Sequence, residues 1–241
     1  MHDVPVDNEW DEHLDGDVIR TTPGPAVQLD VDGWAAFLAS RSKNFRGQVR
    51  GKRNRLERAF EMSIRTSTPD TLEQDMTTLL SLHRLRWGAD APFARGKQAE
   101  LARRFARLSI ERDRLRLSVM ELDGRPVAAL LGLRFAGVHS FWQSGRDPAY
   151  EEHSIGSVLL MDAIREAAED HALEYRLLRG GETYKQRLAD RARDTCTIAV
   201  GRGAFGAVAI NAAHARRAGQ RHLKALRASI TAKGRPGDAH A

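Results

Sequence analysis

The chain has 241 residues and a mass of 26.8 kDa. With 41 % apolar and 29 % charged residues it has the composition of one large or two small folded domains, not of a disordered or fibrous protein. No apolar run approaches the roughly 18 residues of a membrane span, and the single cysteine, Cys196, excludes an intramolecular disulfide and any multi-cysteine metal centre.

The first 32 residues hold nine acids against Arg20 alone, a charge of −8. The chain as a whole carries +6, so the remainder carries +14. The opening MHDVPVDNEW is acidic and polar, unlike a secretory signal, and the expectation is a cytoplasmic protein. Residues 1–29 read as an acidic flexible leader, broken by the TTPGP cluster at 21–25. Asp30 or Asp32 then caps a short helix carrying Trp34, Phe37 and Leu38. The basic stretch 41–58 holds eight arginines or lysines and one acid. It places Phe45, Val49 and Leu56 along one helical face, while Gly47 and Gly51 weaken the helix.

Residues 61–68 alternate as a strand. The Ser67-Thr68-Pro69-Asp70 turn launches a helix through Leu72, Met76, Leu79 and Leu80 to Trp87, and a further helix over 97–110 carries Leu101, Phe105 and Leu108. Three strands follow over 114–122, 124–135 and 138–145. Asp123-Gly124 is the signature of a type I′ hairpin between the first two, and the unbroken apolar run of the second marks a central position in a sheet. A polar loop leads to an amphipathic helix over 155–171, with Ile155, Val158, Leu159, Ala163 and Ile164 on its apolar face. Short strands at 174–181 and 194–201 and a basic helix and tail over 206–241 complete the chain. This order predicts an α+β architecture of mixed α/β layers. A helix N-terminus then lies at the edge of a sheet, which is a natural anion site.

Three stretches carry a family resemblance. Gly145–Tyr150 reads GRDPAY, Ser154–Leu160 reads SIGSVLL, and Gly180–Lys185 reads GGETYK. In this order and spacing they resemble the GNAT-related acyltransferase domain of BioF2-like and CelD-like proteins, relatives of the FemAB peptidyltransferases. The likeness spans residues 30–205. It implies a GNAT-like acyl-CoA N-acyltransferase fold with a central, mostly antiparallel sheet flanked by helices. It also implies acetyl-CoA or another acyl-CoA as donor and an amine acceptor that is a small molecule or cell-envelope precursor; no set of His, Cys, Asp and Glu residues has metal-ligand spacing, so no metal is expected. The donor pyrophosphate is then expected at the helix starting near Ile155, on backbone N–H groups of Gly156, Ser157 and Val158, with Ser154 and His153 beside them. His153 and Val158 stand where the usual GNAT phosphate loop has a basic or amide residue and a small one. Members of the resembled family commonly have two such lobes. The basic segment 41–58 is therefore the expected surface for a partner lobe or a second copy in a homodimer.

Acyl transfer to an amine needs a deprotonated acceptor, a stabilised oxyanion and a protonated leaving group. Tyr184 either protonates the leaving thiolate or makes a structural hydrogen bond. Glu182 either positions or deprotonates the amine, or is a solvent-exposed turn acid or a partner for Lys185. Lys185 either contacts an anionic substrate or pairs with a neighbouring acid. His139 is either a base or a structural histidine, because alternation alone does not give its face. Cys196 reads as a small core residue. The competing class is a non-catalytic GNAT-like module whose basic surfaces bind nucleic acid or other anionic partners. Against nucleic acid, no zinc-finger spacing, aromatic RNA-binding strand or recognition helix is present.

Overall fold

The computed structural model describes residues 4–6, 10–14, 16–29, 33–178, 183–201, 203, 206, 208, 210–212 and 215. The chain divides into two compact units.

The larger unit, Gly24–Ala192, is built on a seven-stranded sheet. Its strands are β3 (Pro25–Gln28), β4 (Met62–Thr66), β5 (Leu115–Leu122), β6 (Arg125–Phe135), β7 (Val138–Arg146), β8 (Glu174–Arg176) and β9 (Arg191–Ala192), in the spatial order β4-β5-β6-β7-β8-β3-β9. Every pairing is antiparallel except β7 with β8. Asp123 and Gly124 both take positive φ, as the hairpin between β5 and β6 requires.

Helices cover both faces. On one side lie α2 (Gly33–Ser40), α3 (Lys43–Ala59) and α6 (Ile155–Glu169), packed over Leu29, Met120, Leu122 and Leu130. On the other lie α4 (Leu72–Trp87) and α5 (Gly96–Ile110), packed over Leu117, Val119, Ala129 and Leu131. Strand β6 therefore alternates between two cores, Ala128 and Leu130 facing one and Ala129 and Leu131 the other. This is why its sequence is apolar without a break. The short helix α7 (Thr183–Leu188) precedes β9.

The smaller unit joins residues 1–23 with 193–241. Here β1 (Val4–Pro5) and β2 (Asp17–Thr22) flank β10 (Thr195–Ala199), and α1 (Trp10–Leu14) lies between β1 and β2 in sequence. Cys196 is buried with Val4 and Ile198 in its small core.

Four sequence expectations change. The acidic leader folds into strands over much of its described length. Val18, Ile19, Thr21 and Thr22 give β2 a β-branched run, and its one acid, Asp17, sits at an exposed position of this edge strand, where charge does not oppose pairing. Pro25 opens β3 as a first strand residue, where its missing N–H costs nothing to the ladder. Helix α5 turns Ala102, Ala106 and Ser109 inward and leaves Leu101, Phe105 and Leu108 exposed. The small face lets the helix approach the sheet closely, one residue out of phase with the large side chains. Helix α3 buries Leu56 and packs Phe45 against the main core, so these residues do not form an outward docking face. The Asp30/Asp32 cap and most of the expected helix over 206–230 lie outside the described residues.

One buried polar pair fixes α4. Asp75 is fully buried and accepts two hydrogen bonds from Arg65 of β4, at 2.8 and 2.7 Å, and one from the Ser67 hydroxyl at 2.6 Å. Sequence patterning gave no sign of it, because an acid in the first turn of a helix ordinarily faces solvent.

Candidate functional site

The parallel pairing of β7 with β8 runs only from Val138–Glu174 to Ser140–Arg176. Strand β7 continues to Arg146, paired with β6 alone over its last six residues. The sheet therefore opens on this edge of β7. Its ladder with β6 also slips one residue, Gln143 opposing Leu131 and Phe141 opposing Gly132, so Trp142 is the extra residue of a bulge. The Trp142 ring packs edge-on to Phe93 and Phe105 on the α4–α5 side.

A cavity of about 280 Å³ occupies this notch. Its walls come from Ala128–Leu130 of β6, from Phe141 and Ser144–Arg146 of β7, and from Ser154, Gly156 and Ser157 at the start of α6. Arg86 enters from α4 and donates to the Ser144 hydroxyl at 3.2 Å. Gly145 makes this possible. A Cβ there would stand 2.3 Å from the backbone N of His83, so only glycine lets α4 cross β7 closely enough for Arg86 to reach the notch.

The start of α6 has an unusual cap. Ser154 takes a left-handed conformation (φ 56°) and its side chain makes no capping hydrogen bond. The N–H groups of Ser157 and Val158 donate to the Ser154 carbonyl at 2.9 and 3.2 Å. Among the described residues the Gly156 N–H has no hydrogen-bond partner, and Gly156 lines the notch at the positive end of a 15-residue helix. Arg146 lies directly over it, its Cδ 3.4 Å from where a Gly156 Cβ would be, and is oriented by a 2.8 Å bond to Glu151. The notch thus collects a free amide, a helix terminus and two guanidinium groups.

The sequence candidates distribute unevenly around it. Ser154, Gly156 and Ser157 line the notch. Val158 does not: its N–H is used within the helix turn and its side chain lines a different cavity, between α2, α3 and α6. His153 packs edge-on to Phe60, with ring centroids 5.0 Å apart, and its Nε2 lies 3.4 Å from Glu152. The basic residue over the helix start is instead Arg146, which spacing from the helix glycine does not find because it comes from the end of the preceding strand. Lys185 is buried on α7, its ammonium 5.7 Å from the ring centroid of Phe141, a wall of the notch. Glu182 and the Tyr184 side chain lie outside the described residues.

His139 is placed at the other end of α6, beside Asp170, which follows the last residue of that helix. The 15 residues of α6 put about 22 Å of helix between it and the notch. The ring is buried, and burial lowers its pKa to about 4; Asp170, 3.3 Å away, opposes the shift, and Arg116 and Arg134 add to it. From pH 6.5 down to about 4 the unfolded chain takes up a proton that the folded chain refuses, so stability falls with pH across that window. Between pH 7 and 4.5, wild type is expected to lose about 2 kcal/mol more stability than His139→Gln. Urea denaturation at both pH values measures it, and equal losses would rule out a buried neutral His139.

Residues 43–186 match the family described as Acetyltransferase (GNAT) domain, well over half of the chain. The chain belongs to this GNAT acetyltransferase family. Its sheet, opened between two parallel strands and flanked by helices, is the GNAT-like fold. Solved structures agree on the fold at low identity. L-PGS from Bacillus licheniformis shares 13 % identity with a TM-score of 0.61, over 88 % of this chain and 71 % of that one. The C-terminal domain of a putative lysylphosphatidylglycerol synthetase from Agrobacterium fabrum shares 10 % with a TM-score of 0.59, over 87 % and 69 %. A conserved protein of unknown function from Bacteroides thetaiotaomicron VPI-5482 shares 13 % with a TM-score of 0.51, and this GNAT chain spans 60 % of its length. No curated protein sequence matches significantly. Among the described residues, no helix is long and apolar enough to cross a membrane.

Proposed function

We propose that this GNAT domain is an acyl-CoA-dependent N-acyltransferase, of the BioF2-like and CelD-like branch, that acylates an amine of a small molecule or cell-envelope precursor in the cytoplasm. The observation that carries the reading is the notch at the opened edge of β7, where the Gly156 amide, the α6 terminus and Arg146 converge. Such a terminus suits a pyrophosphate. Ser154 also borders a basic groove along α3, lined by Lys43, Lys52 and Arg55. Gly47 and Gly51 keep its floor flat, which gives the nucleotide end of the donor room beyond the notch. The pantetheine arm then runs along the unpaired edge of β7, a ready hydrogen-bonding partner for its amides. Lys185 supplies a positive charge behind Phe141 for the oxyanion or the departing thiolate, with Glu182 and Tyr184 as further candidates on the same segment.

Differential scanning fluorimetry with acetyl-CoA, longer acyl-CoAs and free CoA tests the donor. A ligand at 100 times its Kd is expected to raise Tm by about 5–10 °C. No shift with any CoA compound would remove the reading and favour the non-catalytic module.

A further inference from the structure

Three helices of the larger unit converge around a cavity. Helix α3 presents Arg46, Val49, Arg50 and Arg53, and α6 presents Val158, Met161, Asp162 and Arg165. Both sets follow i, i+3, i+4, i+7 spacing, one stripe on each facing helix. Trp34 and Leu38 of α2 form the third side. Helices packed on each other ordinarily interdigitate at 8–10 Å between axes. Here they leave a cavity of about 710 Å³, within the range of small-molecule sites.

The lining is divided by chemistry. Trp34, Leu38, Val49, Val158 and Met161 supply apolar surface, and four arginines stand around one acid. That acid, Asp162, is a clamp: its Oδ1 accepts from Arg53 at 3.0 Å and from Arg165 at 2.6 Å, which fixes both guanidinium groups. Arg46 is held by the carbonyls of Ala39 and Arg41. Arg50 has no hydrogen bond or ion pair among the described residues. The Arg165 Nε is buried and makes no hydrogen bond, the Glu169 carboxylate standing 4.0 Å from it. Arg53 also pairs with Glu57 at 2.8 Å, but among the described residues no acid pairs with Arg46 or Arg50, so the cavity keeps an excess of positive charge beside its apolar surface.

We infer that this cavity is a second ligand site, separate from the notch, for an amphipathic anion: a single phosphate or carboxylate head on an alkyl body. The head is read by Arg50 and Arg165, since planar guanidinium groups fit such oxygens bidentately. The body lies against Trp34, Val49 and Met161. The two sites lie on different faces of α6, which turns Val158, Met161 and Arg165 to this cavity and Gly156, Ser157 and Leu160 to the notch. Occupancy here does not depend on the donor reading.

Isothermal calorimetry of the full chain with n-dodecyl phosphate, below its critical micelle concentration, is the test. Dodecyl phosphate is expected to bind at least ten-fold more tightly than inorganic phosphate or n-dodecanol, because each of these offers half of what the cavity recognises. Arg50→Gln should weaken it five- to ten-fold with an unchanged melting curve, since that side chain is exposed and makes no hydrogen bond or ion pair among the described residues. Val49→Trp should weaken it at least ten-fold by filling the apolar side, and circular dichroism of this variant verifies its fold. Sedimentation with phosphatidylglycerol–phosphatidylcholine vesicles, against phosphatidylcholine alone, separates the sources. Retention that Arg50→Gln abolishes assigns the head to a membrane lipid, and dodecyl phosphate binding without retention assigns it to a soluble anion. Dodecyl phosphate binding no tighter than inorganic phosphate, or bound equally by wild type and both variants, overturns the site.

Discussion

Arg65→Leu is expected to cost about 3–5 kcal/mol of stability at pH 7, more than Asp75→Leu at the other end of the same ion pair. The asymmetry comes from burial. Asp75 is fully enclosed, whereas the Arg65 side chain is 36 % exposed and also reaches Glu121 at 3.3 Å. Removing the arginine strands a carboxylate in the core; removing the carboxylate leaves a cation that water and Glu121 still solvate. Burial alone would push the Asp75 carboxyl up. Hydrogen bonds from Arg65, Ser67 and Thr71, with the Arg65 charge, more than offset this and hold it below the usual range. In wild type the contribution of Asp75 is therefore present above the ordinary carboxylate pKa and lost only as pH falls through the lowered value. In Arg65→Leu the balance reverses. The stranded carboxyl titrates high, so the deficit should shrink between pH 7 and pH 5. Urea denaturation at both pH values reads the effect. A deficit below 1 kcal/mol at pH 7, or one that does not change with pH, would mean that Asp75 is not held as a buried anion.

Donor binding in Arg65→Leu should persist below its lowered Tm, because β4 and the first turn of α4 do not line the notch. What the pair secures is the seating of α4, and α4 carries Arg86 to the notch some three turns later.

Elements with a clear period were legible in the sequence. The hairpin β5–β6 follows from Asp123-Gly124 between alternating strands, and α6 follows from its apolar spacing. The phase of α5 was not legible. Leucines and a phenylalanine at helical spacing outweigh two alanines and a serine in any hydropathy pattern, yet the sheet selected the small face for its closer approach. The strands before residue 23 were not legible, because nine acids in 32 residues outweigh the short β-branched run of β2 in composition, although an edge strand leaves such positions in water. That Ser154, Gly156 and Ser157 border the notch follows from a local pattern, a helix start beside a sheet edge. The positions of Arg146 and Arg86 do not, since one comes from the end of β7 and the other from α4, and only the fold brings them together. His139 illustrates the converse. A histidine in a strand next to the site in sequence lies a whole helix length from it in space, because a strand has two ends.

Gly156→Asp is expected to weaken CoA binding by about 100-fold while leaving Tm unchanged or slightly raised. The two effects come from the same carboxylate. An acid in the first turn of a helix interacts favourably with its dipole, by about 0.3–1 kcal/mol, so the fold gains if anything. A Cβ there meets no backbone outside its own helix, only the Arg146 Cδ at 3.4 Å and Nε at 4.0 Å, which belong to the flexible part of that residue. The carboxylate would then take the place proposed for the donor phosphate and pair with Arg146. The donor loses both the free amide and the guanidinium and meets a like charge, about 2.8 kcal/mol in all for a 100-fold change. Gly156→Ala separates charge from bulk. It adds the same Cβ without the carboxylate and should stay within about three-fold of wild type, since an alanine costs the Gly156 amide nothing. Arg146→Gln removes the charge from the opposite side and should cost about ten-fold, the worth of one charge-assisted hydrogen bond. Calorimetry with free CoA across the three variants gives the ordering. Unchanged affinity in Gly156→Asp would place the donor elsewhere on the sheet. Equal losses in Gly156→Ala and Gly156→Asp would mean that space at the helix start, and not its positive potential, is what the donor needs.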